Sequence, residues 1–166
     1  MTTVTLVYPY FQPSNDNSIF RFPPLGLGYI AAYLRKNGVS VELVDCTFLS
    51  QVEALRRIRR SNPKMIGIQV MFSMRDKALE MAEMLRNDCE MLVAGGPLPT
   101  QDPEPFLKHF DVVVVGEGEL ALADLVEAVE NGNDLSTVKG IVYAEQDTGK
   151  IVATEPRRLI VNLDSI

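Results

Sequence analysis

Two glycine-rich steps stand out among the residues able to do chemistry: Gly95-Gly96-Pro97, followed by Pro99-Thr100, and Gly116-Glu117-Gly118-Glu119. Glycine lacks a Cβ, so the backbone at such a step can approach a bulky or planar ligand and can take positive φ. The same steps also suit a plain strand-to-helix turn. At the second, the acidic residues suit the first turn of a following helix, whose amide dipoles favour negative charge. Catalytic groupings do not assemble from this composition. The single histidine, His109, sits beside Phe110 and reads as a surface or packing residue. Cys46 and Cys89 form no C-x-x-C and no metal-ligand spacing. With one histidine and two distant thiols, no zinc site and no His–carboxylate site can be assembled. Nucleophile elbows and Walker loops are absent as well. The expectation is a binding edge with no catalytic residues and no metal ligands of its own.

That edge has to be positioned by alternating elements. Thr3–Tyr8 (TVTLVY) is a β-rich run ended by Pro9, and a long loop follows over Tyr10–Pro24. Leu25–Asn37 reads as a helix, with Pro23 and Pro24 at its start and Gly38 closing it. Ser40–Val44 is a second strand and Gln51–Arg60 a second helix, stopped by Asn62-Pro63. Lys64–Met71 is almost wholly apolar, as suits a strand buried on both faces. Arg75–Asn87 is a helix, Glu90–Ala94 a strand, Pro103–His109 a short helix, Asp111–Val115 a strand and Leu120–Glu130 a helix. Strands alternating with helices imply right-handed crossovers and a parallel sheet. The fold class predicted is α/β, doubly wound (Rossmann- or flavodoxin-like), with five parallel strands in the order 2-1-3-4-5. Gly140–Ala144 and Lys150–Thr154, around Asp147-Thr148-Gly149, read as a C-terminal β-hairpin on the sheet edge. Residues 155–166 read as an extended linker.

In such sheets ligands bind beyond the carboxyl ends of the strands, where the strand order switches. The loops there carry Pro9-Tyr10-Phe11, Met71-Phe72-Ser73, Gly95-Gly96-Pro97 with Thr100, and Gly116-Glu117-Gly118-Glu119. A second motif, Gly26-Leu27-Gly28-Tyr29-Ile30-Ala31, matches a dinucleotide fingerprint, with Asp45 about where a ribose-binding acid would sit. That fingerprint must turn directly from the first strand into the helix. Here a long loop and two prolines intervene, so the glycines fall inside the helix, where small residues let it pack closely on the sheet.

The 166 residues suit one domain large enough for a conventional core. The formal charge is −6. Arg56, Arg57, Arg59 and Arg60 are the one basic cluster and read as a solvated helix face, so nucleic acid is not an expected partner. The N-terminus lacks a signal-peptide pattern and no apolar run is long enough for a membrane span. The reading is cytoplasmic, with no membrane partner.

The motifs together resemble one family. Phe22-Pro23-Pro24-Leu25-Gly26-Leu27-Gly28-Tyr29-Ile30-Ala31, Val44-Asp45, Ile66-Gly67-Ile68, Gly95-Gly96-Pro97-Leu98-Pro99-Thr100 and Val114 to Glu119 are similar to the start of cobalamin-dependent radical SAM proteins. The anaerobic magnesium-protoporphyrin IX monomethyl ester cyclases are among these. The tail, Arg157-Arg158-Leu159-Ile160 and Asn162 to Ile166, resembles the bridge into their radical SAM barrel. The resemblance implies a cobalamin-binding domain. Its corrin would lie near Tyr10 and Phe11. Gln69, Met71 and Ser73 would line the groove for its nucleotide tail, Gly95 and Gly96 would let that tail pass, and Glu117 and Gly118 would border the same cavity. It also implies the domain limits: 1–136 cobalamin-binding, 137–155 an appended hairpin, and 156–166 a linker towards a radical SAM domain outside this chain. The [4Fe–4S] cluster and S-adenosylmethionine would belong to that other part, since the C-x-x-x-C-x-x-C arrangement is not here. The lower-ligand motif D-x-H-x-x-G is missing, and Leu98 stands where relatives often carry a histidine. Cobalt would then be held without a protein histidine. The parent protein would be an enzyme for methyl transfer or tetrapyrrole modification, this chain alone being non-catalytic. The alternative is a domain that kept the fold, lost the cofactor, and presents substrate or contacts another protein.

Overall fold

The computed structural model describes residues 3–13 and 22–160. The elements run β1 (Thr3–Tyr8), α1 (Leu25–Lys36), β2 (Ser40–Asp45), α2 (Gln51–Arg60), β3 (Met65–Gln69), α3 (Arg75–Leu85), β4 (Met91–Gly95) and α4 (Pro97–Gln101). They continue with β5 (Val112–Val114), α5 (Gly118–Asn131), β6 (Ile141–Ala144) and β7 (Ile151–Ala153). The strands form one sheet in the order β2-β1-β3-β4-β5-β6-β7. The first five are parallel, as expected, and β6 and β7 extend the edge in antiparallel fashion.

Alternate residues of the central strands feed two cores, one on each face. Val7, Ile66, Ile68 and Val113 pack with Ala54 and Ile58 of α2 and Met81, Ala82 and Leu85 of α3. Leu6, Met65, Val93 and Val112 pack with Leu27, Ala31 and Leu34 of α1 and Leu122, Leu125 and Val126 of α5. This two-sided burial explains why β3 is apolar up to Gln69, its last residue. Thr5, a buried polar side chain of β1, is satisfied by Ser61 Oγ at 2.7 Å.

Helix α4 is absent from the sequence-based expectations, because Pro97 and Pro99 argue against a helix. Both prolines lie in the first turn, where backbone N–H groups have no intrahelical partner to lose. The expected short helix over Pro103–His109 is a 3-10 turn over Glu104–Lys108. Helix α3 ends two residues early, at Leu85, so Cys89 lies in the turn beyond it. No helix among the described residues is long and apolar enough to cross a membrane.

Both thiols are free, and burial pushes Cys46 up to about 12 and Cys89 up to about 11. A raised thiol contributes stability that is complete below the unfolded-state value of 9.0 and is lost as pH climbs towards 11 and 12. Iodoacetamide at pH 8 is therefore expected to leave both cysteines largely unmodified in the native chain and to label both in urea. Mass spectrometry checks this, and rapid native labelling of Cys46 would contradict it.

Candidate functional site: a glycine-lined cavity at the carboxyl edge

A cavity of about 220 Å³ opens at the carboxyl ends of β1, β3, β4 and β5, between α1 and α5. Its wall combines Leu6 of β1, Gly67, Ile68 and Gln69 of β3, Val93, Ala94 and Gly95 of β4, and Val114 of β5. Gly96, Gly116, Glu117, Gly118 and Glu119 supply the rim. Gly26, Leu27 and Ile30 of α1 and Leu122 of α5 complete it. The position is the switch in strand order, where β1 connects to β2 on one side and the chain then builds outward through β3, β4 and β5 on the other.

Glycines make the space. A Cβ on Gly67 would come within 3.0 Å of Leu6 Cδ2, so a bare backbone at mid-strand leaves the floor open. A Cβ on Gly95 would meet only Val114 Cβ, at 3.9 Å. Gly96 differs. Its φ is +106°, and a Cβ there would lie 2.9 Å from Val70 O, 3.2 Å from Val70 N and 3.3 Å from Gln69 Cγ. The chain itself requires glycine at this turn. At Gly116 the φ is +91°, and its N–H donates to Thr100 Oγ1 at 3.1 Å, tying the β5 loop to α4.

Gln69 closes β3 against the Gly96 turn. Its Oε1 is shut off from solvent and meets no donor, the one such buried side-chain atom among the described residues. Such an atom costs roughly 1–3 kcal/mol if nothing ever satisfies it. At the rim, Glu117 is the N-cap residue of α5, yet its carboxylate does not cap the helix. Instead Oε2 accepts the Ile160 N–H at 2.7 Å. Glu119 lies in the first turn of α5, where the helix dipole favours its charge. Nearby, at the end of β1, burial and the Asp45 charge raise the Tyr8 phenol above its usual range, so it stays protonated. No nucleophile–base pair faces the cavity: its polar side chains are one amide and two carboxylates.

Seven of the sequence-selected residues meet at this cavity: Gln69, Gly95, Gly96, Gly116, Glu117, Gly118 and Glu119. Pro9, Tyr10, Phe11, Met71, Phe72, Ser73, Pro97 and Thr100 do not line it. Phe11 packs on the core beneath α2 and α3, Tyr10 stands 6.3 Å from the Tyr8 ring, and Phe72 is 86% exposed in a 3-10 turn. Thr100 serves the site by holding Gly116, and Leu98 packs with the α2/α3 core. His109 lies just before β5, at the opposite edge, with Nδ1 3.4 Å from Glu83.

The cavity wall also contains residues that the loop-based reading passed over: Leu6, Gly67, Ile68, Val93, Ala94, Val114, Leu122 and the α1 residues Gly26, Leu27 and Ile30. Gly67 inside an otherwise apolar strand was the one legible signal. The expectation that Gly26 and Gly28 let α1 pack tightly on the sheet is corrected. A Cβ at either would meet nothing within 4 Å, so neither marks a close approach, and Gly26 widens the cavity instead. The dinucleotide fingerprint fails on the same geometry, since both glycines are inside α1, which begins only at Leu25, far along the chain from the end of β1 at Tyr8.

A parallel sheet with an apolar, glycine-lined cavity at its switch point defines a ligand-binding α/β domain of the doubly wound class. The family model of the B12 binding domain matches residues 16–126. The chain belongs to that family. It is 34% identical over 151 residues to uncharacterized methyltransferase PH0819 of Pyrococcus horikoshii, covering 87% of this chain and 32% of that protein. It is 31% identical over 175 residues to the anaerobic magnesium-protoporphyrin IX monomethyl ester cyclase of Rubrivivax gelatinosus, covering 98% of this chain and 31% of that one. Among solved structures, the cobalamin-dependent S-adenosylmethionine radical enzyme OxsB, with aqua-cobalamin and S-adenosylmethionine bound, superposes with a TM-score of 0.82. It is 25% identical, over 96% of this chain and 23% of that one. The chain thus spans about a third of the length of the curated relatives it matches.

Proposed function

We propose that this chain is the cobalamin-holding part of a cobalamin-dependent radical SAM enzyme, and that the nucleotide tail of the cofactor enters the cavity. The observation that carries the reading is the cavity itself, in a chain of the B12 binding domain family. Its fit to the group is chemical. A narrow apolar space suits the aromatic base of a nucleotide tail, and Gln69 places an unsatisfied acceptor beside it. Gly26, Gly95 and Gly116 keep the mouth free of side chains, whereas Gly118 lets Ile30 of α1 approach α5, since a Cβ there would stand 2.8 Å from Ile30 Cδ1. The volume is too small for a corrin ring, so the macrocycle would rest outside, over the carboxyl edge, where Tyr10, Phe48 and Phe72 are presented.

Cobalamin, when bound, supplies methyl-carrier or radical chemistry. The residues of this chain do the binding work. Leu6, Val93 and Leu122 exclude water from the tail, Gln69 is positioned to take a hydrogen bond, and Thr100 holds the rim loop through the Gly116 N–H. The radical SAM cluster and S-adenosylmethionine would belong to a companion domain, reached through residues 156–166. Of that segment, 161–166 lie outside the described residues. The domain limits at 136 and 155 belong to this same reading, as does the choice between methyl transfer and tetrapyrrole modification in the parent enzyme.

The experiment is direct. The chain is mixed with hydroxocobalamin, separated from free ligand by gel filtration, and its visible spectrum recorded. Corrin absorption is expected to co-elute with the protein. Cobinamide, which has no nucleotide tail, is expected to elute free. Absence of corrin absorption in the protein peak would overturn the reading in favour of a domain that kept the fold and lost the cofactor.

A further inference from the structure

Beyond β7 the chain does not simply leave the sheet. Glu155 O accepts the Gly140 N–H at 2.9 Å, and Lys139 Nζ pairs with Glu155 Oε2 at 2.7 Å. Arg157 Nε donates to Lys139 O at 2.9 Å, and the Arg157 guanidinium pairs with Asp124 on α5. The Arg157 stem lies so close to Gly140 that a Cβ there would stand 3.1 Å from Arg157 Cγ. With 17% of its side chain exposed, Arg157 is an anchored residue of the strap. Three residues on, the Ile160 N–H reaches Glu117.

Glu117 has a second face. It walls the main cavity, and with Arg157, Arg158, Leu159 and Ile160 it also lines a separate space of about 30 Å³ under the strap. One side chain therefore touches both the ligand space and the exit strap. Its loop is held on the other side by the Gly116–Thr100 hydrogen bond.

We infer that Glu117 is a latch: its carboxylate fastens residues 155–160 to the rim of the cavity, so that filling the cavity and docking the strap favour each other. This rests on the cobalamin reading and gives it a direction, since it links cofactor occupancy to the segment that leads out of the domain. A hydrogen bond to a charged acceptor is the stronger kind. A coupling of this type is reciprocal: a strap that steadies the Glu117 loop helps the ligand, and the ligand steadies the strap by the same factor. Glu117 acts here through Ile160, as a positioning residue.

Trypsin reads the strap, because Arg157 and Arg158 are its cleavage points. The 166-residue chain is digested with and without hydroxocobalamin. Cleavage after Arg158 is followed by mass spectrometry and referenced to cleavage after Lys77 in α3, which reports global unfolding. Hydroxocobalamin is expected to slow strap cleavage at least about fivefold relative to Lys77. Without ligand, Glu117→Ala is expected to speed strap cleavage at unchanged Lys77 cleavage, and Glu117→Gln, which keeps an acceptor, to restore part of the protection. Strap cleavage indifferent to a corrinoid that co-elutes with the protein would overturn the latch and leave the cobalamin reading standing. So would a ligand-free Glu117→Ala chain cleaved no faster than the unaltered one. Failure of the unaltered chain to retain any corrinoid would overturn both.

Discussion

Replacing Gly96 with alanine is expected to destabilise the chain by about 2 kcal/mol, lowering its thermal midpoint by roughly 4–8 °C. Two costs coincide at this position. The backbone holds φ +106° and ψ −177°, a region that is nearly glycine-only and costs about 1–3 kcal/mol for other residues. The new methyl group would also sit 2.9 Å from Val70 O. That oxygen is backbone, and it accepts the Leu98 N–H that starts α4, while the Val70 N–H donates to Gly95 O at 2.7 Å. Relief by movement would therefore break the join between β3, β4 and α4. Urea unfolding, monitored by circular dichroism, measures the loss. A midpoint unchanged from that of the unaltered chain would show that the turn does not need glycine.

Gly26→Phe is expected to behave in the opposite way: binding lost, fold kept. Gly26 is in the first turn of α1 with ordinary helical backbone, and a Cβ there meets nothing within 4 Å. Exchanging a helical glycine for a larger residue leaves stability within about 1 kcal/mol or raises it slightly. The ring, however, competes for the space between α1 and the sheet that the cofactor tail would use. Overfilling a packed site costs on the order of 1–3 kcal/mol, so retention of hydroxocobalamin is expected to weaken about tenfold to hundredfold. Equilibrium titration followed at the corrin bands, beside an unfolding curve of the same preparation, separates the two effects. Undiminished binding by a folded Gly26→Phe chain would place the tail elsewhere.

The two substitutions sharpen what a glycine in this sequence means. Gly95-Gly96 reads as one motif, yet its members do different things. Gly96 is demanded by the chain's own turn, and Gly95 leaves room for something else. Gly26 and Gly28 read as packing glycines of α1, but neither is crowded. A sequence shows where a side chain is missing. It does not show whether the gap faces backbone, solvent or a ligand, because that depends on the neighbour across the gap.

Architecture was the most legible layer. Apolar periodicity alternates between strand and helix along the chain, and a parallel sheet with crossovers on both faces is the simplest way to bury both sets of apolar residues. The loops at the carboxyl edge followed from that arrangement, and so did the Gly95–Gly96 and Gly116–Glu119 steps, whereas Gln69 came only from the family resemblance. Composition alone limited the chain to two cysteines and one histidine, and the structure places that histidine, His109, beside Glu83 and away from the cavity. Only the tertiary structure decided the cavity wall. Leu6, Gly67, Val93, Leu122 and Gly26 come from three strands and two helices far apart in sequence, and an alternating apolar pattern marks Leu6, Val93 and Leu122 simply as core. Whether an apolar residue touches another residue or an open space is set by how far apart α1 and α5 sit over the sheet. Glu117 makes the same point for a charge. Its place before α5 predicts a helix cap, but a strap more than forty residues downstream arrives with an unpaired N–H, and the carboxylate turns to meet it.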